Sequence, residues 1–189
     1  ASELTVTSNV NLVAIWRKQV AVTVTFDKNG GSANTTSAAV NTYLYNGATS
    51  IPSGTSLTFT APACTTRSGW TCLGYADSAS DTASDWNVGA TKSISVAGLS
   101  VSATATTASK ASGYYHIWKN DNAGTQYTAT PQKNISGASG TPSAVSCTIA
   151  TVYNNATRPT SCTVASPAAN SYTYSGWTII GWKQTGDTT

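Results

Sequence analysis

The sequence predicts an all-β or β-rich fold, and two observations carry this prediction. The chain of 189 residues contains 25 Ser and 33 Thr, together with six Trp and nine Tyr. β-Branched and aromatic side chains pack well on a pleated surface and are enriched in strands. Apolar and polar residues also alternate with a period of two, most regularly at Val20, Val22, Val24 and Phe26. That period is typical of a strand with one buried face.

The same alternation predicts the individual elements. The strand that contains Val20 to Phe26 ends at a turn over residues 27–31 (DKNGG), where Asn and Gly favour tight reversal. One weak helix is expected near residues 35–41, whose Asn, Thr and Ser content disfavours it. Further strands are expected at residues 43–45, 57–60, 94–96, 101–107, 114–118, 126–130, 145–153 and 162–165.

Low charge excludes several classes of protein. Charged residues form 9% of the chain, and ten Lys and Arg against seven Asp and Glu give a net charge of +3. Without a basic run to neutralise phosphates, nucleic-acid binding is not expected. A membrane span is not expected either, since no run of about 18 apolar residues occurs. The lack of Met predicts a processed or excised segment.

The four cysteines predict disulfides and an oxidising compartment. They form two local pairs in the sequence, with 7 and 14 residues between their members. Neither spacing matches a zinc knuckle, and a single His does not complete a mixed metal site. Of three possible connectivities the local one is favoured, at about 2–3 kcal/mol per bridge, with four unpaired thiols as the alternative. Disulfides favour an extracellular or cell-surface location. The cysteines are Cys64, Cys72, Cys147 and Cys162.

Internal repeats organise the chain. Residues 68–75 (SGWTCLGY) recur as residues 175–182 (SGWTIIGW), at an offset of 107. Residues 45–49 (YNGAT) recur as residues 153–157 (YNNAT), at an offset of 108. The end of one repeat at residues 14–17 (AIWR) reappears as residues 116–119 (HIWK).

These offsets predict three segments. Residues 1–17 close one repeat, residues 18–119 form a complete repeat, and residues 120–189 form a second repeat without its closing strand. An unpaired sheet edge invites another strand, and the N-terminal segment of a neighbouring copy has the sequence to supply it. The candidate donor-strand residues are Leu4, Val6, Leu12, Ile15 and Trp16.

The repeated motifs resemble the Listeria–Bacteroides repeat, also called the internalin B-repeat. Residues 24–31 (VTFDKNGG) are similar to its opening strand, residues 67–75 (RSGWTCLGY) to its central motif, and residues 10–16 (VNLVAIW) to its closing segment. The disulfides and the Ser/Thr/Ala insert at residues 76–112 depart from the family pattern. The resemblance implies tandem β-grasp-like or sandwich-like modules with Ser/Thr-rich loops on a bacterial surface protein, with no enzymatic activity.

Candidate chemical groups have structural interpretations. His116 lies in a strand-like run without a nucleophile motif beside it, and Asp77, Asp81 and Asp85 are interpreted as solvated loop acids. No catalytic residue, metal site or cofactor is predicted. Aromatic side chains are expected in the cores of the repeats rather than on a sugar-binding surface. The predicted core aromatics are Trp70, Tyr75, Trp118, Trp177 and Trp182.

The sequence therefore predicts a non-enzymatic extracellular β-repeat protein with a structural or adhesive role. One hypothesis is a subunit that polymerises head to tail with itself into a surface fibre by strand complementation. The alternative is a spacer or ligand-binding module from a longer multi-repeat adhesin, in contact with neighbouring repeats. The receptor is not identified by the sequence.

Overall fold

The fold is β-rich, as predicted. The computed structural model describes residues 5–32, 36–168 and 172–185, and no helix occurs within these ranges. No described segment is a helix long and apolar enough to cross a membrane. The strands are β1 (Arg17–Asp27), β2 (Thr36–Tyr45), β3 (Ser56–Thr60), β4 (Trp70–Ala76), β5 (Thr91–Ser95), β6 (Thr107–Asn120), β7 (Gln126–Ala129) and β8 (Val145–Thr148).

β1 lies inside a four-stranded sheet with the order β2-β1-β6-β4. It pairs antiparallel with β2 and parallel with β6, and β6 pairs antiparallel with β4. Two smaller ribbons, β3-β5 and β7-β8, complete the strands. The predicted boundaries at residues 17 and 119 fall within β1 and β6, so strands run on through both points.

The core lies on the face of the sheet that β1 fills with alternate side chains. Val20, Val22, Val24 and Phe26 are at most 2% exposed, while the residues between them are only partly covered. Each such burial contributes about 1.5–3 kcal/mol. Phe59 of β3 and Ile94 of β5 belong to the same apolar cluster, so the small ribbon covers this face.

Three aromatic rings fill the centre of this core. The Phe26 ring lies 4.7 Å from Tyr75 and 5.4 Å from Trp86, measured between centroids. The polar ends find partners, as buried Tyr and Trp usually require. The Tyr75 hydroxyl donates to the carbonyl of Pro62, and the Trp86 Nε1–H donates to the carbonyl of Ala90.

Three predicted elements are wrong. The expected helix at residues 35–41 is strand from residue 36 onward, because β1 needs an antiparallel partner and Val40 packs on the core. Residues 101–106 and 162–165 lie outside the strands. Val101 is buried nonetheless, with its N–H bonded to the carbonyl of Thr49. The apolar Val101 therefore correctly indicated burial at this position, although the residue does not lie in a strand.

Both local disulfides form, as favoured. Cys64 bonds Cys72, and Cys147 bonds Cys162. The second bridge joins β8 to residues outside any strand in a part of the chain with little apolar core. Among the described residues after 120, Ala138 and Ile149 are the buried apolar side chains.

Removing the second disulfide should therefore loosen the second repeat selectively. We expect the double variant Cys147→Ser/Cys162→Ser to have a free energy of unfolding about 3 kcal/mol lower. A disulfide that closes a loop of this size lowers the entropy of the unfolded chain by about that amount. Amide hydrogen exchange should accelerate at residues 145–165 and leave β1 protected. Cys64→Ser/Cys72→Ser is the matched control, because that bridge is anchored beside the main core. Equal loss of protection throughout the chain would contradict the prediction.

Candidate inter-repeat interface

The turn that recurs in the sequence, at residues 45–49 and 153–157, has the same backbone geometry in both copies. Asn46 and Asn154 both have positive φ, at 50° and 53°. The Asn46 N–H donates to the carbonyl of Trp16 at 2.9 Å, and the Trp16 N–H donates to Asn46 Oδ1 at 3.1 Å. Trp118 and Asn154 make the same two bonds, both at 2.9 Å. We call each arrangement a Trp–Asn clasp.

A second turn is also shared. The Trp70 N–H donates to the carbonyl of Arg67 at 3.1 Å, around Gly69 with φ of 77°. The Trp177 N–H donates to the carbonyl of Tyr174 at 3.0 Å, around Gly176 with φ of 78°. The positive φ explains the glycine in both copies, because an L side chain is strained there. At these two turns the repeats therefore agree in local structure as well as in sequence.

The clasp at Trp118 and Asn154 is buried in a junction between the first and second repeats. Asn154 is 4% exposed, and its Nδ2 donates to the carbonyl of Asp81 at 2.6 Å. Arg67 donates to the carbonyl of Asn154 at 2.5 Å. Its guanidinium lies 4.2 Å over the Trp70 ring, and burial lowers the pKa of Arg67. The second repeat is thus held by groups from three separate parts of the first.

Asn29 connects this junction to the core. Its Nδ2 donates to the carbonyls of Ala79 and His116, both at 2.9 Å, and its Oδ1 accepts from Asn155 at 3.2 Å. Burying these carbonyls requires such donors, because an unsatisfied buried polar group costs about 1–3 kcal/mol. Asn29 has φ of 43°, a conformation that Asn tolerates better than most residues.

Two glycines let the repeats approach each other. A Cβ on Gly69 would lie 2.7 Å from Arg158 Nε, which donates to the Gly69 carbonyl. Arg158 also forms an ion pair with Asp121 at 2.6 Å. A Cβ on Gly30 would lie 3.1 Å from Asn155 Oδ1. A Cβ at either position would crowd these side chains, in addition to the strain that the positive φ of both residues imposes on an L side chain.

The clasp at Trp16 and Asn46 is exposed. Trp16 is 73% exposed, and Asn46 is also exposed. Beside them a shallow groove of about 140 Å³ is lined by Trp16, Lys18, Leu44, Gly47 and Ala103. No part of the described chain covers this clasp in the way that Arg67 and Asp81 cover the other.

The predicted donor-strand residues form an exposed segment. Val6 is 54%, Leu12 75% and Ile15 79% exposed, and residues 5–16 lie outside the strands. Leu4 lies outside the described residues. The corresponding residues of the complete repeat, 114–118, lie within β6 and include the buried His116, Ile117 and Trp118.

The predicted core aromatics divide between the two repeats. Tyr75 and Trp118 are buried as expected, and Trp70 is half-buried beneath Arg67. For Trp177 the prediction is wrong, because its side chain is 70% exposed. Trp182 is half-buried, and its Nε1–H donates to the carbonyl of Pro167. The difference arises because residues 177–184 lie outside the strands, whereas the equivalent residues 70–76 form β4.

His116 is buried in the core. Its Nδ1 lies 2.7 Å from the carbonyl of Asp27, so this nitrogen carries the proton. Nε2 then accepts from the Thr65 N–H at 3.4 Å. The ring stacks on Trp118 at 5.6 Å between centroids. Burial lowers the pKa of His116 from its usual 6.5, partly offset by the bond to Asp27.

The three loop acids lie closer together than their sequence spacing indicated. Carboxylate oxygens of Asp77, Asp81 and Asp85 lie within 4.8 Å of one another. The Asp77 N–H donates to Asp85 Oδ2, which closes the loop. Asp77 and Asp85 are exposed and Asp81 is partly buried. Exposed acidic groups of this kind are common without an ion.

Sequence reasoning missed the residues that build the junction. The recurrence of Asn46 and Asn154 in the YNGAT and YNNAT motifs was the available signal, since Asn tolerates positive φ in turns. Asn29 was indicated only as a turn residue, and Arg67 and Arg158 gave no signal of a role in the junction, because the partners of all three are distant in sequence. Comparisons with protein-family models, with curated proteins and with solved structures find no match for this chain. The resemblance to the Listeria–Bacteroides repeat therefore stays a prediction.

The two clasps provide a matched pair of substitutions. Asn154→Ala should lower stability by about 2–3 kcal/mol, because the buried Trp118 N–H and Asp81 carbonyl lose their partners. Asn46→Ala should cost under about 1 kcal/mol in dilute protein, since water reaches the exposed groups. Chemical denaturation of both variants measures the difference. Equal losses would contradict the buried role of the second clasp.

His116 should make stability depend on pH. Because burial holds its folded pKa below the ordinary 6.5, the unfolded chain binds the proton first as pH falls. The free energy of unfolding should be greatest above pH 7 and decline between about pH 7 and pH 5. His116 is the only histidine, so His116→Gln should flatten this dependence. The same slope in both proteins would refute the assignment.

Proposed function

We propose that this chain is an extracellular structural or adhesive β-repeat protein whose copies assemble head to tail by β-strand complementation. The supporting observation is a pair of segments that match a strand pair present in the first repeat. Residues 13–18 correspond to the part of β6 that pairs with β4, and residues 177–183 correspond to β4. Apart from Arg17 and Lys18, which pair with β2, neither segment belongs to a ladder between strands of the described chain.

The exposed apolar side chains support the same proposal. Leu12, Val13, Ile15 and Trp16 in one segment, and Trp177 and Ile180 in the other, are at least 70% exposed. Burying such side chains favours association by about 25 cal/mol per Å² of apolar surface. The contact joins two different surfaces, so repeating it produces a filament when the rotation between copies does not close into a ring.

The two disulfides favour an extracellular location. Both pairs of cysteines are oxidised, which fits an oxidising environment. The small apolar core of the second repeat gains stability from its disulfide, so a reducing compartment would weaken that repeat most. Secretion to the cell surface and a role in adhesion extend this reasoning and belong to the proposal.

A spacer in a longer multi-repeat adhesin is the second candidate. The observation that favours it is the buried Trp118–Asn154 clasp, which joins two repeats within one chain. A following repeat in the same polypeptide would then supply the strand that a second copy supplies in the first proposal.

Size-exclusion chromatography with light scattering distinguishes the two candidates. We expect the full chain to form concentration-dependent oligomers, and a variant lacking residues 1–16 to remain monomeric because it has no donor segment. A variant lacking only residues 1–11 is the matched control, since it keeps residues 12–16 and should still associate. A monomeric full chain at the highest soluble concentration would reject self-assembly and leave the spacer.

A further inference from the structure

We infer that residues 13–18 of one copy pair antiparallel with residues 177–183 of a second copy, in the same register that joins β6 to β4. This inference rests on the proposed self-assembly and specifies its interface. It commits to a second copy of this chain as the partner, because the two exposed segments complement each other within a single sequence.

The ladder between β4 and β6 provides the template. Thr71 lies opposite Lys119, Cys72 opposite Trp118, and Gly74 opposite Ile117, with a bulge at Leu73. Applying the repeat offsets of 107 and 102 places Thr178 opposite Arg17 of the second copy. The same offsets place Ile179 opposite Trp16, and Gly181 opposite Ile15. Ile180 then takes the bulge position.

The strand edge at Arg17 is suited to this pairing. Lys119 lies between Thr71 on one side and Tyr153 on the other. Arg17 has the equivalent neighbour on one side only, Tyr45 of β2. The ladder of β1 with β6 starts only at Ala21, so within the described chain the other side of Arg17 has no strand partner.

The direction of the backbone groups agrees with this edge. The N–H and carbonyl of Trp16 both bond to Asn46, as those of Trp118 bond to Asn154. Successive residues of an extended strand direct these groups to opposite sides. The N–H and carbonyl of Arg17 therefore point to the open side, where Thr178 of the second copy would lie.

The turn that precedes the acceptor segment is already formed. Gly176 has the same positive φ as Gly69, and Trp177 closes the turn as Trp70 does before β4. Pairing therefore needs residues 177–183 to extend along a partner, while the turn that sets their starting point stays unchanged. Preorganisation of this kind lowers the cost of binding.

The contact between copies lacks two elements of the junction within the chain. Arg67 is replaced by Tyr174 at the equivalent position, and the ion pair of Arg158 with Asp121 is replaced by Ser50 and Gln19. The contact would keep the exposed Trp16–Asn46 clasp of one copy, which would lie against the turn at Tyr174 and Trp177 of the second copy. Association between copies should consequently be reversible on dilution, unlike the junction between the two repeats of one chain.

Mixed single-cysteine variants test the register. Arg17→Cys is mixed with Thr178→Cys under mild oxidation, and the covalent dimer is quantified on a non-reducing gel. The control is Ile15→Cys mixed with Thr178→Cys. Ile15 lies on the same face of the strand as Arg17 but two residues away from the position opposite Thr178. We expect at least about tenfold more dimer from the first mixture, because pairing raises the effective thiol concentration towards the mM range. Circular dichroism verifies that each variant is folded.

The outcomes separate this inference from the proposed function. Preferential cross-linking of Arg17→Cys supports the register. Equal or reversed yields in samples that still form oligomers by light scattering overturn the register and leave self-assembly intact. Absence of both cross-links and oligomers overturns the register and the assembly together.

Discussion

The structure depends most on buried asparagine amides that take the place of strand partners. Where β6 ends, Asn154 supplies the acceptor for the Trp118 N–H and a donor for the carbonyl of Asp81. The side-chain amide of Asn29 donates to the carbonyls of Ala79 and His116. Because these backbone groups are buried, they need partners, and a compact amide with two donors and an acceptor satisfies several of them from one position. The sheet of the first repeat can therefore end inside the protein, against the second repeat.

This arrangement makes the two ends of the repeat unequal. The buried clasp has an arginine, an aspartate carbonyl and a second asparagine around it, whereas the same backbone arrangement at Trp16 is exposed. The same hydrogen-bond motif thus forms whether or not a neighbouring repeat covers it. The neighbouring repeat decides whether the motif also acts as a contact between units, and this connects the internal junction to the assembly that we propose.

The exposed strand edges follow the same logic. A strand with unpaired N–H and carbonyl groups is a template for another strand. Near both ends of the described chain, residues 12–16 and 177–182 lie outside the strands and carry exposed apolar side chains. In the first repeat the equivalent groups are paired and the equivalent side chains are partly or fully buried. The contrast between two copies of one motif in one chain is the strongest guide to how the open edges are used.

The sequence by itself determined the β-rich class, the strands around Val20 to Phe26 and Tyr114 to Trp118, the local disulfides and the recurrence of the repeat. These are local properties: alternation with period two, turn residues, and cysteines that are close in the chain. Tertiary structure decided the rest. Residues 36–41 became strand because β1 required a partner. Trp177 became exposed because its segment forms no strand in the described chain, whereas Trp70 begins β4 and lies beneath Arg67. Asn29, Arg67 and Arg158 acquired their roles from carbonyl groups between 38 and 89 residues away, and no local pattern encodes which distant backbone group will be left without a partner.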